Sequence, residues 1–203
     1  MKIRDLLEQA DSSHVAIRTE TNALTYVELS RLVDTLAQAL RDFGLREGDR
    51  IGIALPNGLE VISAFLAAST VGTAAPLNPG YTVDEFKFYL EDTRARALIV
   101  PTGGAKEART AAQETNVAII ECVTGDEGDV RFSMNEPLSE TAEDNSAAQD
   151  IALILHTSGT TSRPKRVPLA HANLLTSARN VADTYQLTAN DVSLCVKIGR
   201  AHV

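Results

Sequence analysis

Cysteine is scarce in this sequence, and its two copies, Cys122 and Cys195, lie far apart. Two cysteines cannot build the disulfide framework of a small secreted domain. Neither has the closely spaced cysteine or histidine partners that a zinc site needs. We therefore expect a chain that folds without disulfide bonds and without structural zinc.

Basic residues are in the minority, with 19 Lys and Arg against 27 Asp and Glu and a formal net charge of -8. A protein that binds nucleic acid by neutralising its phosphates has the opposite balance. The charge therefore argues against a nucleic-acid partner. It leaves room for a nucleotide site, because such a site requires only local positive potential.

Long apolar runs are also missing. The N-terminus, Met1–Asp5, carries an acidic residue almost at once, and no segment there is long and apolar enough for a signal peptide or a membrane helix. We expect a soluble, cytoplasmic protein with no membrane span. The 44% hydrophobic content of its 203 residues is enough for a buried core.

Three helices are predicted from capping patterns and helical spacing. A capping box at Thr25–Glu28 precedes leucines that recur at helical spacing until Gly44. A second helix is expected from about 59 to 71, with Gly72 after it, and Thr82–Glu85 opens a third in the same way as the first.

Short apolar runs between these helices predict buried strands at 51–55, 97–100, 118–120 and 150–155. Apolar strands that alternate with helices indicate βαβ units. We therefore predict an α/β fold with a mainly parallel sheet flanked by helices.

Between Thr124 and Asp150 the chain has eight acidic residues, a single basic one and no sustained apolar period. We interpret this segment as a solvated excursion, with a partner-binding acidic segment as the alternative.

The strand at 150–155 leads directly into a loop rich in hydroxyl groups. Gly159 allows the backbone to approach an anion closely, and successive N–H groups of such a loop form an anion-binding nest. The hydroxyls add further donors, and the ammonium group of Lys165 adds a full positive charge. The predicted phosphate-binding residues are Thr157, Ser158, Gly159, Thr160, Thr161 and Lys165.

This loop is not a Walker A motif, because no Gly-Lys-Ser/Thr triplet opens a helix here. An ordinary P-loop NTPase is therefore disfavoured. The alternative without a ligand is a polar loop that merely joins a strand to the helix beginning near His171.

The stretch 155–165 resembles the AMP-binding signature of acyl-CoA synthetases, 4-coumarate ligases, luciferases and nonribosomal peptide adenylation domains. Segments 24–29, 48–53 and 75–79 resemble other parts of the same adenylate-forming family, in its usual order. The resemblance extends from Asp11 to about Val196. Ser162, Arg163 and the preceding His156 are most similar to the branch with oxalate-CoA ligases and peroxisomal acyl-CoA synthetase-like proteins.

The resemblance implies a partial N-terminal domain of an acyl-CoA synthetase that uses ATP, Mg²⁺ and coenzyme A. A carboxylate would first form an acyl-adenylate and pyrophosphate, and the thiol of coenzyme A would then displace AMP. The loop and Lys165 would bind the ATP phosphates. A non-catalytic nucleotide-binding or interaction module is the alternative function. A peroxisomal location is left open, because its signal would lie at the C-terminus.

Arg166 departs from the family, which usually has glycine after this lysine, so a backbone conformation reserved for glycine is in question there. His156 is interpreted either as a substrate-contacting group or as a structural hydrogen-bonding group. Capping and packing explain His171 and Asn173. No catalytic base and no metal ligand is assigned.

Family resemblance ends where the chain continues as Lys197–Val203. The last six codons can be back-translated as ATC GGA AGA GCA CAC GTC, which matches a widely used sequencing adapter. We therefore interpret 1–196 as the partial AMP-binding domain and 197–203 as a non-native tail, and expect no synthetase activity from this chain alone. Resequencing the source transcript tests this interpretation.

Overall fold

The computed structural model describes residues 1–19, 23–125, 129–139, 150–157 and 164–193. None of the helices in these ranges combines the length and the apolar character that crossing a membrane requires. The predicted tail at 197–203 lies outside the described residues, as does much of the acidic segment.

Six α-helices and nine strands are found in the described ranges. A short 3₁₀ turn at Ile3–Asp5 precedes the helices α1 (Leu6–Gln9), α2 (Tyr26–Asp42), α3 (Leu59–Val71), α4 (Val83–Thr93), α5 (Lys106–Glu114) and α6 (His171–Tyr185). The strands are β1 (Val15–Arg18), β2 (Ala23–Thr25), β3 (Arg50–Ile53), β4 (Thr73–Pro76), β5 (Ala95–Pro101), β6 (Ala118–Thr124), β7 (Val130–Ser133), β8 (Ile151–Thr157) and β9 (Lys165–Ala170).

Seven of these strands form one sheet in the order β7-β6-β5-β3-β4-β8-β9, and β1 pairs with β2 in a separate hairpin. The inner pairs are parallel, whereas β7 and β9 run antiparallel to their neighbours. The predicted α/β fold with a mainly parallel sheet is therefore confirmed. In the described part of the chain β9 is an edge strand, and Pro168 stands opposite Ile154 within it.

Helices cover both faces of this sheet, and β5 supplies side chains to both. Ala97 and Ile99 are fully buried among residues of α2 and α3. The intervening Leu98 and Val100 are fully buried on the opposite face, among residues of α4 and α5. This alternation is the period of two expected for a strand that is buried on both sides.

The start of α2 is set by its local sequence. The Glu28 carboxylate accepts hydrogen bonds from the Thr25 amide at 2.8 Å and hydroxyl at 2.7 Å, and the Thr25 hydroxyl accepts one from the Glu28 amide at 3.4 Å. These reciprocal bonds satisfy donors that have no partner within the helix. After the helix, Gly44 adopts a φ of 97°, which glycine tolerates far better than other residues.

A buried ion pair lies in the turn before β3. The Asp49 side chain is 5% exposed and accepts from the Arg96 guanidinium at 2.7 Å and from the Arg46 amide at 2.8 Å. The backbone carbonyl of Asp49 also accepts from the amide of Thr73 at 2.8 Å. Asp49 therefore links the turn to both β4 and β5.

Cys122 is buried in β6. Burial, with a smaller contribution from the negative charge of Glu60, raises the pKa of its thiol to about 12. The thiol is therefore neutral near pH 7 and unsuited to act as a nucleophile or metal ligand.

The predicted helices are all present, and each predicted strand coincides with an observed one within a few residues. Part of the acidic segment, interpreted from the sequence as a solvated excursion, forms β7, whose Val130 and Phe132 are buried against the sheet. The helices α1 and α5 and the strands β1, β2, β4 and β9 were not predicted.

Candidate functional site

The predicted phosphate loop joins two antiparallel strands. Thr157 is the last residue of β8, Lys165 is the first residue of β9, and these two residues face each other in the register. Lys165 therefore begins a strand, whereas the sequence interpretation treated it as part of a loop leading to α6. The residues predicted between them, Ser158, Gly159, Thr160 and Thr161, lie outside the described residues.

Thr157 and Lys165 stand at the carboxyl end of β8, and both are exposed. Since β8 is parallel to β4, this end belongs to the carboxyl edge of the parallel strands. Open α/β sheets bind ligands at that edge. An ammonium group and a hydroxyl group on neighbouring strands are also suitable donors for phosphate oxygens.

His156 lies one position before Thr157 and turns away from solvent, with its side chain 8% exposed. Its Nε2 atom is 2.9 Å from Oδ2 of Asp92, in the last turn of α4. Its ring forms an edge-to-face pair with the Tyr89 ring, with centroids 4.7 Å apart and planes at 64°. Of the two interpretations of His156, these contacts support the structural hydrogen-bonding group.

Arg166 occupies an ordinary extended position in β9, opposite His156. It is not among the residues of the described ranges that have a positive φ, so the backbone here is open to residues other than glycine. Its Nη1 atom donates to the main-chain carbonyl of Asp92. Position 166 therefore has no backbone requirement for glycine.

Asp92 and Tyr89 are the residues at this site that sequence reasoning missed. They lie far from His156 in sequence, and no motif joins the two segments. Tyr89 also stacks on Tyr81, with ring centroids 4.8 Å apart and planes at 18°. The only sequence signal was the helical phase that places Tyr89 and Asp92 on neighbouring turns of α4.

The remaining candidates have structural partners. His171 is buried at the start of α6, where its Nδ1 atom accepts the Ile3 amide at 3.1 Å, and Asn173 accepts the Ala170 amide at 2.9 Å. Within the part of the chain that the structure describes, no group of three or more His, Cys, Asp or Glu side chains is placed to hold a metal ion.

Comparison with known proteins agrees with this arrangement. Residues 7–197 match the family model described as AMP-binding enzyme, a range that includes the whole β8–β9 hairpin. The chain belongs to the AMP-binding enzyme family.

Curated relatives of this AMP-binding chain include CoA ligases. It is 38% identical to a probable CoA ligase of Humulus lupulus, covering 85% of this chain and 34% of the relative. An oxalate-CoA ligase of Arabidopsis thaliana is 37% identical, with 85% and 35% covered, and one of Saccharomyces cerevisiae is 33% identical, with 95% and 41% covered. The chain thus spans roughly a third to two fifths of these relatives.

Solved structures share the fold of this AMP-binding chain. Apo MatB from Rhodopseudomonas palustris superposes with a TM-score of 0.75 at 24% identity, covering 94% of this chain and 39% of that one. Apo MbtA from Mycobacterium smegmatis gives a TM-score of 0.75 at 28% identity, covering 94% and 38%. The sheet and its helices are therefore those of the N-terminal region of adenylate-forming enzymes.

Proposed function

We propose that this chain supplies the ATP-phosphate-binding part of an ATP-dependent acid-thiol ligase. The observation that carries the proposal is the β8–β9 hairpin, which brings Thr157 and Lys165 face to face at the two ends of the family's signature loop. Both residues are exposed at the carboxyl edge of the sheet, where a nucleotide can reach them.

In the proposed reaction, a carboxylate oxygen attacks the α-phosphorus of ATP, and the bond to the pyrophosphate oxygen breaks. The leaving pyrophosphate carries the negative charge that must be stabilised. The ammonium of Lys165, the hydroxyls of Thr157, Ser158, Thr160 and Thr161 and the amide of Gly159 would hold its oxygens. Mg²⁺ bound to the phosphates would supply further charge neutralisation.

In the second half-reaction, a thiol attacks the carbonyl carbon of the acyl-adenylate, loses its proton and displaces AMP. We assign coenzyme A as the thiol because the curated relatives include CoA ligases. Two of these relatives are named as oxalate-CoA ligases, so oxalate is the first carboxylate to test.

Phosphate binding can be tested on the chain itself. A ¹⁵N-labelled sample is titrated with ATP and with pyrophosphate, each with Mg²⁺, and amide resonances are followed by NMR, which detects even millimolar affinity. We expect saturable shifts at Thr157 and Lys165. The Lys165→Ala variant should bind about tenfold more weakly, because it loses a charge-assisted hydrogen bond.

Lys106→Ala is the matched control, since Lys106 is an exposed lysine at the start of α5. It should bind as the unsubstituted chain does. Absent shifts, or equal losses in both lysine variants, would show that the hairpin is not the phosphate site.

The ligase reaction is tested in a protein of the relatives' full length that contains this sequence. We expect oxalate-dependent exchange of labelled pyrophosphate into ATP, followed by thioester formation when coenzyme A is added. ATP binding without exchange for any carboxylate in a broad panel would instead support the non-catalytic nucleotide-binding module.

A further inference from the structure

One residue of α4, Asp92, contacts both strands of the β8–β9 hairpin. Its carboxylate lies 2.9 Å from Nε2 of His156 on β8, and its main-chain carbonyl accepts from the guanidinium of Arg166 on β9. His156 and Arg166 are directly opposed in the register, one rung before Thr157 and Lys165. Asp92 therefore holds the two strands at the last rung before the phosphate-binding residues.

The pleat of the hairpin separates this attachment from the binding residues. Directly opposed residues in an antiparallel pair project to the same face, and successive residues alternate between faces. His156 and Arg166 therefore point together towards α4, whereas Thr157 and Lys165 point to the other face. The attachment to α4 leaves the phosphate-binding groups free.

The contacts on the α4 side are extensive enough to restrict the hairpin. The His156 ring is almost fully buried and forms an edge-to-face pair with Tyr89, which in turn stacks on Tyr81. The Arg166 cation meets a carbonyl in the last turn of α4, where the helix dipole favours positive charge. Both strands are thus fixed to the same end of one helix.

We propose that Asp92 is a positioning residue for phosphate binding, acting through His156 and Arg166 without touching the nucleotide. This inference rests on the proposed function of the hairpin. A hairpin already fixed at its last rung loses less conformational entropy when Thr157 and Lys165 bind phosphate, so the attachment raises affinity. Arg166, which stands where the family usually has glycine, adds a contact that glycine cannot make.

The test compares three variants of the chain in the same NMR titration with Mg²⁺ and ATP. Asp92→Ala removes the carboxylate that contacts His156 but keeps the main-chain carbonyl that contacts Arg166. It should weaken binding by about tenfold, because β8 is no longer held to α4 beside Thr157. Asp92→Asn keeps an oxygen acceptor for His156 and should stay within about twofold of the unsubstituted chain. Glu91→Ala, an exposed neighbour on the same helix, should bind normally.

Two further measurements distinguish a positioning role of Asp92 from a role in overall stability alone. The urea unfolding midpoint of Asp92→Ala should stay close to that of Glu91→Ala, so that the loss of affinity is not a loss of folded protein. In a His156→Phe background, which keeps a ring beside Tyr89 but no ring nitrogen, Asp92→Ala should cause little further loss. That non-additivity is the signature of a shared contact.

The outcomes separate this inference from the proposed function. If the unsubstituted chain gives no shifts at Thr157 and Lys165, the proposed function fails and the inference fails with it. If it binds, and Asp92→Ala binds equally well or loses the same affinity with and without His156, only the inference is overturned. The inference is supported if Asp92→Ala weakens binding about tenfold while Asp92→Asn binds nearly as well as the unsubstituted chain. It also requires that Asp92→Ala cause little further loss in the His156→Phe background.

Discussion

At the scale of single residues, close approach of the backbone leaves little room for a side chain at Gly72. A Cβ atom at Gly72, just after α3, would lie 2.4 Å from the carbonyl oxygen of Asp49 and 3.2 Å from that of Arg46. The same Asp49 carbonyl accepts the amide of Thr73, so the turn cannot shift without breaking that bond.

Gly72→Ala should therefore lower the free energy of unfolding by about 1–3 kcal/mol, the range typical of overpacking. Gly80→Ala is the matched control, because the nearest atom to its Cβ would be the Asn78 side-chain oxygen at 3.5 Å, an ordinary contact. It should change the stability by less than about 1 kcal/mol. Urea unfolding followed by circular dichroism measures both, and equal effects would contradict the steric argument.

Residues with local partners were the ones that the sequence could predict. The capping boxes at Thr25 and Thr82 join residues three apart, so their hydrogen bonds follow from the sequence itself. The partner of His156 could not be predicted, because the contact with Asp92 spans 64 positions and depends on how α4 crosses the sheet. For the same reason Arg166 could be flagged as unusual but not placed.

At the scale of elements, His171 connects the start of α6 to the N-terminal turn. Burial, and then the positive charge of Lys2, lower the pKa of His171 from its ordinary 6.5. Asp150, Asp5 and a hydrogen bond to the Ser69 backbone act in the opposite direction but do not offset these effects. The neutral ring accepts the Ile3 amide through Nδ1, which a protonated ring could not do.

Stability should consequently decrease as the pH falls below about 6.5, because the unfolded chain then takes up a proton that the folded chain resists. The effect is fully developed once the pH is below the lowered, folded-state pKa. His171→Asn keeps an acceptor near Ile3 but does not titrate. Urea midpoints between pH 7.5 and 5.5 should fall more steeply for the unsubstituted chain, and parallel profiles would show that His171 does not contribute.

The elements that sequence analysis missed are those with weak periodic signals. In α5 the buried residues are alanines, Ala108, Ala111 and Ala112, which give little hydrophobic contrast. In β7 only Val130 and Phe132 alternate with polar residues, inside an otherwise acidic segment. The strand β9 contains Pro168, which normally argues against a strand. The strand β5 was predictable because its centre, 97–100, is an uninterrupted apolar run, as expected for a parallel strand buried on both faces.

At the scale of the whole molecule, the sheet couples the two layers of helices. Leu98 and Ile99 are adjacent in β5, yet one packs towards α4 and α5 and the other towards α2 and α3. A defect on one face therefore weakens a strand that the other face also needs. We expect both layers to unfold in one cooperative transition.

Leu98→Ala and Ile99→Ala should each lower the free energy of unfolding by about 2–5 kcal/mol. Each should also raise hydrogen exchange by similar factors in α2 and in α4, although these helices lie on opposite faces. Val181→Ala, at a position that is 47% exposed, serves as the control and should have little effect. Faster exchange restricted to the layer nearest the substitution would show that the layers unfold separately.

Pro168 in β9 affects whether a strand from another chain can pair with this edge of the sheet. Since β9 keeps its pairing with β8, the hydrogen-bond donor that Pro168 lacks belongs to the outward side of the strand. An extended segment from another chain that approached this edge would find the ladder interrupted near its middle. The strand that carries Lys165 can thus stand beside open solvent, available to a small anionic ligand, without serving as a template for strand addition.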